Sequence, residues 1–250
     1  MLLDGKQAVI YGGGGAIGGS VARAFAREGA VVHLAGRTRA TLEAVAEDIR
    51  SAGGTAYSAV VDALDETSVD RFADSVAAEH GSLDISFDVI SSHDVQGTPL
   101  AEMSVEDFEA PIHTLVRTMF LTARAAARHM ITQGSGVILA FGGNGDPVRD
   151  YCIGGFQIAL QAAESLQRQL ASELGKHGIR VISLQTGGIA ESIPADVDGR
   201  DALVESLTSK TLLGRCATLE DVGNVACFAA SDKAKSITAT ALNITCGAII

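Results

Sequence analysis

The chain predicts an α/β fold, a doubly wound and mostly parallel sheet with helices on both faces, and three observations carry that prediction. Apolar runs short enough for buried strands alternate with stretches of helical periodicity from the N-terminus onward. A glycine cluster, Gly12 to Gly15, sits between the first such strand and the first such helix. The 250 residues contain no Pro/Ser-rich linker, which suits one domain spanning 1–250, with a core that needs neither disulfides nor metals.

The segment from Gln7 to Glu28 sets the pattern. Val9 and Ile10 suit a buried parallel strand, and Ile17, Val21, Ala24 and Phe25 recur at helical spacing. The glycines between them permit a tight turn and let a phosphate reach main-chain N–H groups at a helix N-terminus; the alternative is a structural turn without a ligand. Gly29 stops the first helix, Val31 to Ala35 forms the second strand, and Arg39 to Ala52 the second helix. Thr55 to Val61 is a strand ending at Asp62, and Glu66 to His80 a helix with Val69, Phe72 and Val76 turned inward. Ile85 to Ile90 is the fourth strand, Ser91 to Leu100 a polar loop, and Val105 to Gln133 a long helical region interrupted or started near Pro111. Gly136 to Phe141 is a strand, Asn144 to Cys152 a loop, Ile153 to Lys176 a helix stopped at Gly178, and Arg180 to Gln185 a strand. After a long loop from Thr186 to Gly199, helices are expected over Asp201 to Thr208 and, capped by Thr218, over Leu219 to Ala230, with a last strand at Ala241 to Thr245. No internal repeat is present.

Charge and cysteine usage exclude several classes. With 19 basic and 30 acidic residues the net charge is −11, which repels phosphate backbones and anionic lipid surfaces and argues against nucleic-acid or membrane partners. Cys152, Cys216, Cys227 and Cys246 lie far apart without C-x-x-C spacing, so no metal site is expected and the thiols read as packing residues in a reducing compartment. Asp4 and Lys6 interrupt the first apolar run, and no stretch reaches the roughly 18 apolar residues of a membrane span, so a soluble cytoplasmic protein is expected.

The glycine turn, Asp62, Leu83-Asp84-Ile85, Glu173-Leu174-Gly175 with His177-Gly178-Ile179-Arg180-Val181, and Leu213-Gly214-Arg215 through Ser231-Asp232 together resemble the short-chain dehydrogenase/reductase family along the whole chain. The resemblance implies a Rossmann-type domain that binds a nicotinamide dinucleotide and acts on a small molecule. The family's T-G-x-x-x-G-x-G is here Tyr11-Gly12-Gly13-Gly14-Gly15-Ala16-Ile17-Gly18, with alanine at the middle glycine. Where a carboxylate would bond the ribose hydroxyls of NAD, Gly36 stands with Arg37 beside it, which points to NADP(H) rather than NAD(H); solvated charges at a helix start are the alternative for Arg37 and Arg39. Asp62 matches the family's adenine-contacting aspartate, and Gly187 and Ile189 fall in the loop that follows the sixth strand. The family's N-N-A-G is replaced by Asp88-Val89-Ile90-Ser91, which brings a carboxylate toward an anionic cofactor unless it faces a structural donor.

In this family a tyrosine exchanges the substrate proton, a lysine four residues on lowers its pKa, a serine polarises the carbonyl, and an asparagine supports a water relay. An ungapped count places Phe156 at the tyrosine, Leu160 at the lysine, Gly143 at the serine and Leu115 at the asparagine, so all four roles are vacant and the catalytic residues are unknown. Substitute proton donors on the neighbouring loops are Tyr151 and His93, ahead of Asp94, Asp146, Asp150 and Cys152. Glu191 and Ser192 lie where the family meets carboxamide and substrate, a solvated loop being the alternative. The resemblance also implies a homodimer or homotetramer through two long helices. In the first of these, Leu115, Phe120, Leu121 and Ala125 to Ala127 cannot all face one sheet.

Overall fold

The computed structural model describes residues 1–143 and 151–248. Its elements run β1 (Gln7–Tyr11), α1 (Ala16–Arg27), β2 (Val31–Gly36), α2 (Arg39–Ser51), β3 (Thr55–Val60), α3 (Glu66–His80), β4 (Ile85–Asp88), α4 (Val105–Gln133), β5 (Gly136–Gly142), α5 (Gly154–Leu174), β6 (Ile179–Gln185), α6 (Arg200–Ser209), α7 (Leu219–Ala230) and β7 (Thr240–Asn243). The strands form one sheet in the order β3-β2-β1-β4-β5-β6-β7, and every pairing is parallel. Chain order reverses between β1 and β4. That reversal opens a crevice at their carboxyl ends, the usual place for a ligand in such sheets.

Alternation along the strands divides the core into two layers. Ala8 and Ile10 of β1 join Val21 and Phe25 of α1, Val45 and Ile49 of α2, and Val222 and Ala226 of α7 on one face. Val9 and Tyr11 point the other way, to Val69 and Val76 of α3, Leu121 and Met130 of α4, and Ala171 and Leu174 of α5. β1 is therefore apolar on both faces, which is why it reads as a continuous hydrophobic run.

Two expectations are corrected. The fourth strand ends at Asp88 rather than Ile90, because the Asp88 carboxylate accepts the Ile90 N–H at 3.1 Å and closes a side-chain turn there. Pro111 neither starts nor interrupts α4. The helix begins earlier, at Ser104, whose hydroxyl accepts the Asp107 N–H at 3.0 Å with Glu106 and Asp107 in the first turn, and it continues through a buried Pro111. The apolar residues of α4 do not all face the sheet. Leu115, Leu121 and Ala125 to Ala127 are buried because α3 and α5 pack on the flanks of α4, and of that set only Phe120 stays exposed, with the Arg124 guanidinium over its ring.

Candidate functional site

At the end of β1 the chain turns through Gly12 to Gly15 into α1. Gly12 has φ of +86°, and a Cβ there would sit 2.6 Å from the Val89 carbonyl oxygen, so only glycine lets the ends of β1 and β4 come this close. The Gly12 and Gly13 N–H groups donate to the Ala35 carbonyl at 2.8 and 3.2 Å, which locks the turn against β2. A side chain at Gly18 would collide with the Gly12 carbonyl, so the helix starts immediately behind the turn. Ala16 is the first residue of α1 and exposed, and Ile17 packs on the first core layer.

Helix α1 is started differently from α3, α4 and α7. Asp65, Ser104 and Thr218 cap α3, α4 and α7 with side-chain oxygens, and each of those helices has an acid in its first turn. Gly15 offers α1 no side-chain cap, and the first turn holds no acid. Like α2 and α5, α1 leaves its first-turn N–H groups without a side-chain partner from its own cap.

The turn borders a cavity of about 340 Å³ lined by Tyr11, Gly12, Gly14, Gly15, Gly36, Arg37, Thr38, Asp62, Val89, Ile90, His93 and Thr118. The candidates Gly12, Gly14, Gly15, Arg37 and Asp62 are thus brought together around one space. Asp62 is exposed, and its Oδ1 accepts the Leu64 N–H at 3.0 Å. A Cβ at Gly36 would meet Leu42 no nearer than 3.4 Å, an ordinary contact. Gly187 and Ile189 follow β6. Gly187 is exposed beside Thr245 and Ala248, Ile189 is buried in the first core layer, and neither borders this cavity.

Asp88 faces structural donors. It is buried behind the cavity wall, with the Ile90 N–H on Oδ1 and the Thr122 hydroxyl 3.4 Å from Oδ2. Burial pushes its carboxyl up to about 6, against the opposing pull of the Ile90, Thr118 and Thr122 hydrogen bonds. Burial, with Asp88 and Asp70 nearby, also drives the Tyr11 phenol well above its usual range, so that hydroxyl stays protonated.

The four positions aligned with the family's proton-transfer group also converge, and what they assemble is apolar. Leu115 and Leu160 are buried with Ala159, and Phe156, Ile112 and Ala163 pack around them. A Cβ at Gly143 would lie 3.5 Å from Leu160 and 3.5 Å from the Thr186 carbonyl oxygen. Helices α4 and α5 approach so closely here that a side chain at Gly155 would strike the Phe108 carbonyl.

The substitute candidates are dispersed. Tyr151 is 46% exposed just before α5, where the Cys152 carbonyl accepts the Gly97 N–H at 2.7 Å and ties the two loops together. His93 lies instead at the Arg37 edge of the cavity, its Nε2 3.2 Å from Arg37 Nη2. Asp94 accepts from Ser92 and Gln96, and Asp146 and Asp150 lie outside the described residues. Glu191 accepts the Leu219 N–H at 2.6 Å at the start of α7, and the Ser192 hydroxyl donates to the Ile189 carbonyl at 2.8 Å. Sequence reasoning missed Thr38, Thr114 and Thr118 as residues lining the cavity. The available signal was helical spacing, since Thr114 and Thr118 flank Leu115 on α4. Among the described residues no group of three or more His, Cys, Asp or Glu is placed to hold a metal, and no helix is long and apolar enough to cross a membrane.

Comparison with known proteins agrees with this fold. A family model described as enoyl-(acyl carrier protein) reductase matches residues 14–248. Secoisolariciresinol dehydrogenase of Forsythia intermedia is 31% identical, over 94% of this chain and 86% of that protein. A short-chain dehydrogenase/reductase structure from Serratia marcescens superposes with a TM-score of 0.87 at 26% identity, covering 99% of each chain. A 7α-hydroxysteroid dehydrogenase complexed with NADH and 7-oxo glycochenodeoxycholic acid superposes at 0.85 with 25% identity, over 99% of this chain and 95% of that one.

Proposed function

The chain belongs to the short-chain dehydrogenase/reductase family of oxidoreductases, whose cofactors are nicotinamide dinucleotides, and from that premise we propose that it works with NADP(H) on a small molecule through an atypical catalytic site. The observation that carries the proposal is the pairing of an open, uncapped glycine turn with an apolar cluster at Leu115, Gly143, Phe156 and Leu160. Gly12, Gly14, Gly15, Ala16, Ile17 and Gly18 shape the diphosphate site at the start of α1, and Asp62 meets the adenosine end. Arg37 meets a ribose 2′-phosphate, and Gly187 and Ile189 border the nicotinamide end. When bound, NADPH supplies a hydride.

Neither Phe156 nor Leu160 can give or take a proton, Gly143 has no hydroxyl to polarise a carbonyl, and Leu115 cannot hold a relay water. The substrate is therefore one already electron-poor without protonation, such as an iminium, with a hydrophobic or cationic core that suits the apolar floor. Where a proton is needed, Tyr151 is the donor, since His93 is engaged by Arg37. We propose further that the chain is a single cytoplasmic domain and forms a homodimer or homotetramer, with exposed Phe120 on α4 and Ile158 on α5 at the contact. Light scattering that finds a stable monomer at micromolar concentration would remove the assembly from this reading.

The test of the catalytic half is the triple substitution Phe156→Tyr, Leu160→Lys, Gly143→Ser, assayed by NADPH consumption with a simple ketone. Gained ketone reduction supports a productive cofactor position beside the apolar cluster. A folded, NADPH-binding variant without such a gain, together with a parent inactive on ketones, imines and enones, assigns the chain to non-catalytic nucleotide or partner binding instead.

A further inference from the structure

Arg37 and His93 follow strands that are not neighbours. In the sheet β1 lies between β2 and β4, so the two side chains meet over the carboxyl end of β1, beside the glycine turn. A guanidinium has only donors and keeps its proton in proteins. At the observed 3.2 Å the His93 Nε2 must therefore accept, which puts the proton of the neutral imidazole on Nδ1. His93 also holds φ of +55°, a left-handed conformation uncommon outside glycine. The strained backbone thus sits at the residue whose ring reaches Arg37. The Asp94 carboxylate next in the chain is turned away, to the Ser92 hydroxyl and the Gln96 amide. The other ionisable groups bordering the cavity are Asp62, which accepts the Leu64 N–H, and the buried Tyr11.

We infer that His93 is a positioning residue for cofactor selection: its neutral imidazole holds the Arg37 guanidinium over the glycine turn, ready for a ribose 2′-phosphate. The inference rests on the NADP(H) reading above. An unrestrained arginine must be ordered when the phosphate arrives, and that ordering opposes binding; an arginine already held by one N–H loses less freedom. The remaining guanidinium N–H groups are still free to form a forked contact with phosphate oxygens. A dinucleotide without the 2′-phosphate gains nothing from this arrangement, so the effect appears in selectivity.

The experiment is calorimetric titration of the full chain with NADPH and with NADH, in parallel with thermal melts. His93→Ala is expected to weaken NADPH about fivefold and to leave NADH within about twofold, because only the 2′-phosphate contact uses the ordered arginine. His93→Gln, whose amide oxygen can accept from Arg37, is expected to recover most of the loss. In an Arg37→Ala background, His93→Ala is expected to change neither affinity. Equal weakening of both cofactors, no change in NADPH affinity, or an effect that persists without Arg37 overturns the inference. The two readings separate cleanly. If the parent chain shows no preference for NADPH, the NADP(H) reading itself fails; if the parent prefers NADPH and Arg37→Ala loses that preference while His93→Ala does not, only the role of His93 fails.

Discussion

The turn after β1 and the cluster between α4 and α5 stand at the same carboxyl edge of one sheet, and they are made of opposite materials. The turn is built from main chain, and side chains at Gly12 and Gly18 would strike the Val89 and Gly12 carbonyls. In the cluster the positions are filled by Leu115, Phe156 and Leu160, which pack well and carry no exchangeable proton. Main-chain recognition depends on the path of the strand and helix, so it persists as long as the sheet does. Proton transfer depends on particular side-chain atoms, and similarly bulky apolar residues can replace them while the helices stay packed. Fold and cofactor recognition can thus be kept while the chemistry changes.

The largest expected effect comes from breaking the first region. Gly12→Val places a branched side chain at φ +86° and against the Val89 carbonyl, and is expected to destabilise the protein by about 3 kcal/mol or more and to abolish measurable NADPH binding. Retention of near-parent affinity in calorimetry would refute the close approach of β1 and β4.

Next in size are two pH-linked groups of opposite sign. Asp88 has its carboxyl raised to about 6, so its burial penalty is absent below the usual carboxylate range and grows as pH rises through 6. Asp88→Asn is expected to gain up to about 3 kcal/mol at pH 7, and less at pH 5, in urea unfolding. A loss at pH 7 instead would mean that the ionised carboxylate is needed as an acceptor for Ile90 and the threonines. His33, buried on β2 with Nε2 2.9 Å from the Gln7 Oε1, is pulled down to about 4 by burial and by His80. Its neutral form favours folding above pH 6.5, and that contribution, also about 3 kcal/mol, is lost as pH falls toward 4. His33→Phe should flatten this acid limb; an unchanged limb would assign it to other groups.

The smallest effect sharpens the comparison within the polar half. Arg37→Ala is expected to weaken NADPH about tenfold, roughly 1.4 kcal/mol, while NADH affinity stays unchanged. Equal loss of both cofactors would make Arg37 a general anchor instead of a selector.

Much of this architecture was legible because buried parallel strands announce themselves as apolar runs, and because Gly29, Gly134 and Gly178 end elements where the chain adopts positive φ. The glycine turn was legible for the same local reason. What escaped was non-local. The direction of Asp88 depends on Thr118 and Thr122, some thirty positions away on α4. The contact between Arg37 and His93 depends on sheet order, which no window of sequence contains. The burial of Leu121 and Ala125 to Ala127 follows from α3 and α5 packing beside α4, which the periodicity of α4 alone does not specify. The apolar cluster was legible only by counting along a family pattern, since Leu115, Phe156 and Leu160 look like ordinary core residues.

The most direct test of the central claim is stopped-flow mixing of the NADPH-loaded protein with a simple ketone and, separately, with a preformed iminium of similar shape. The account predicts tight NADPH binding, negligible ketone reduction, and faster hydride transfer to the iminium, because no protonation is required there. Rapid reduction of the simple ketone by the parent protein would contradict it.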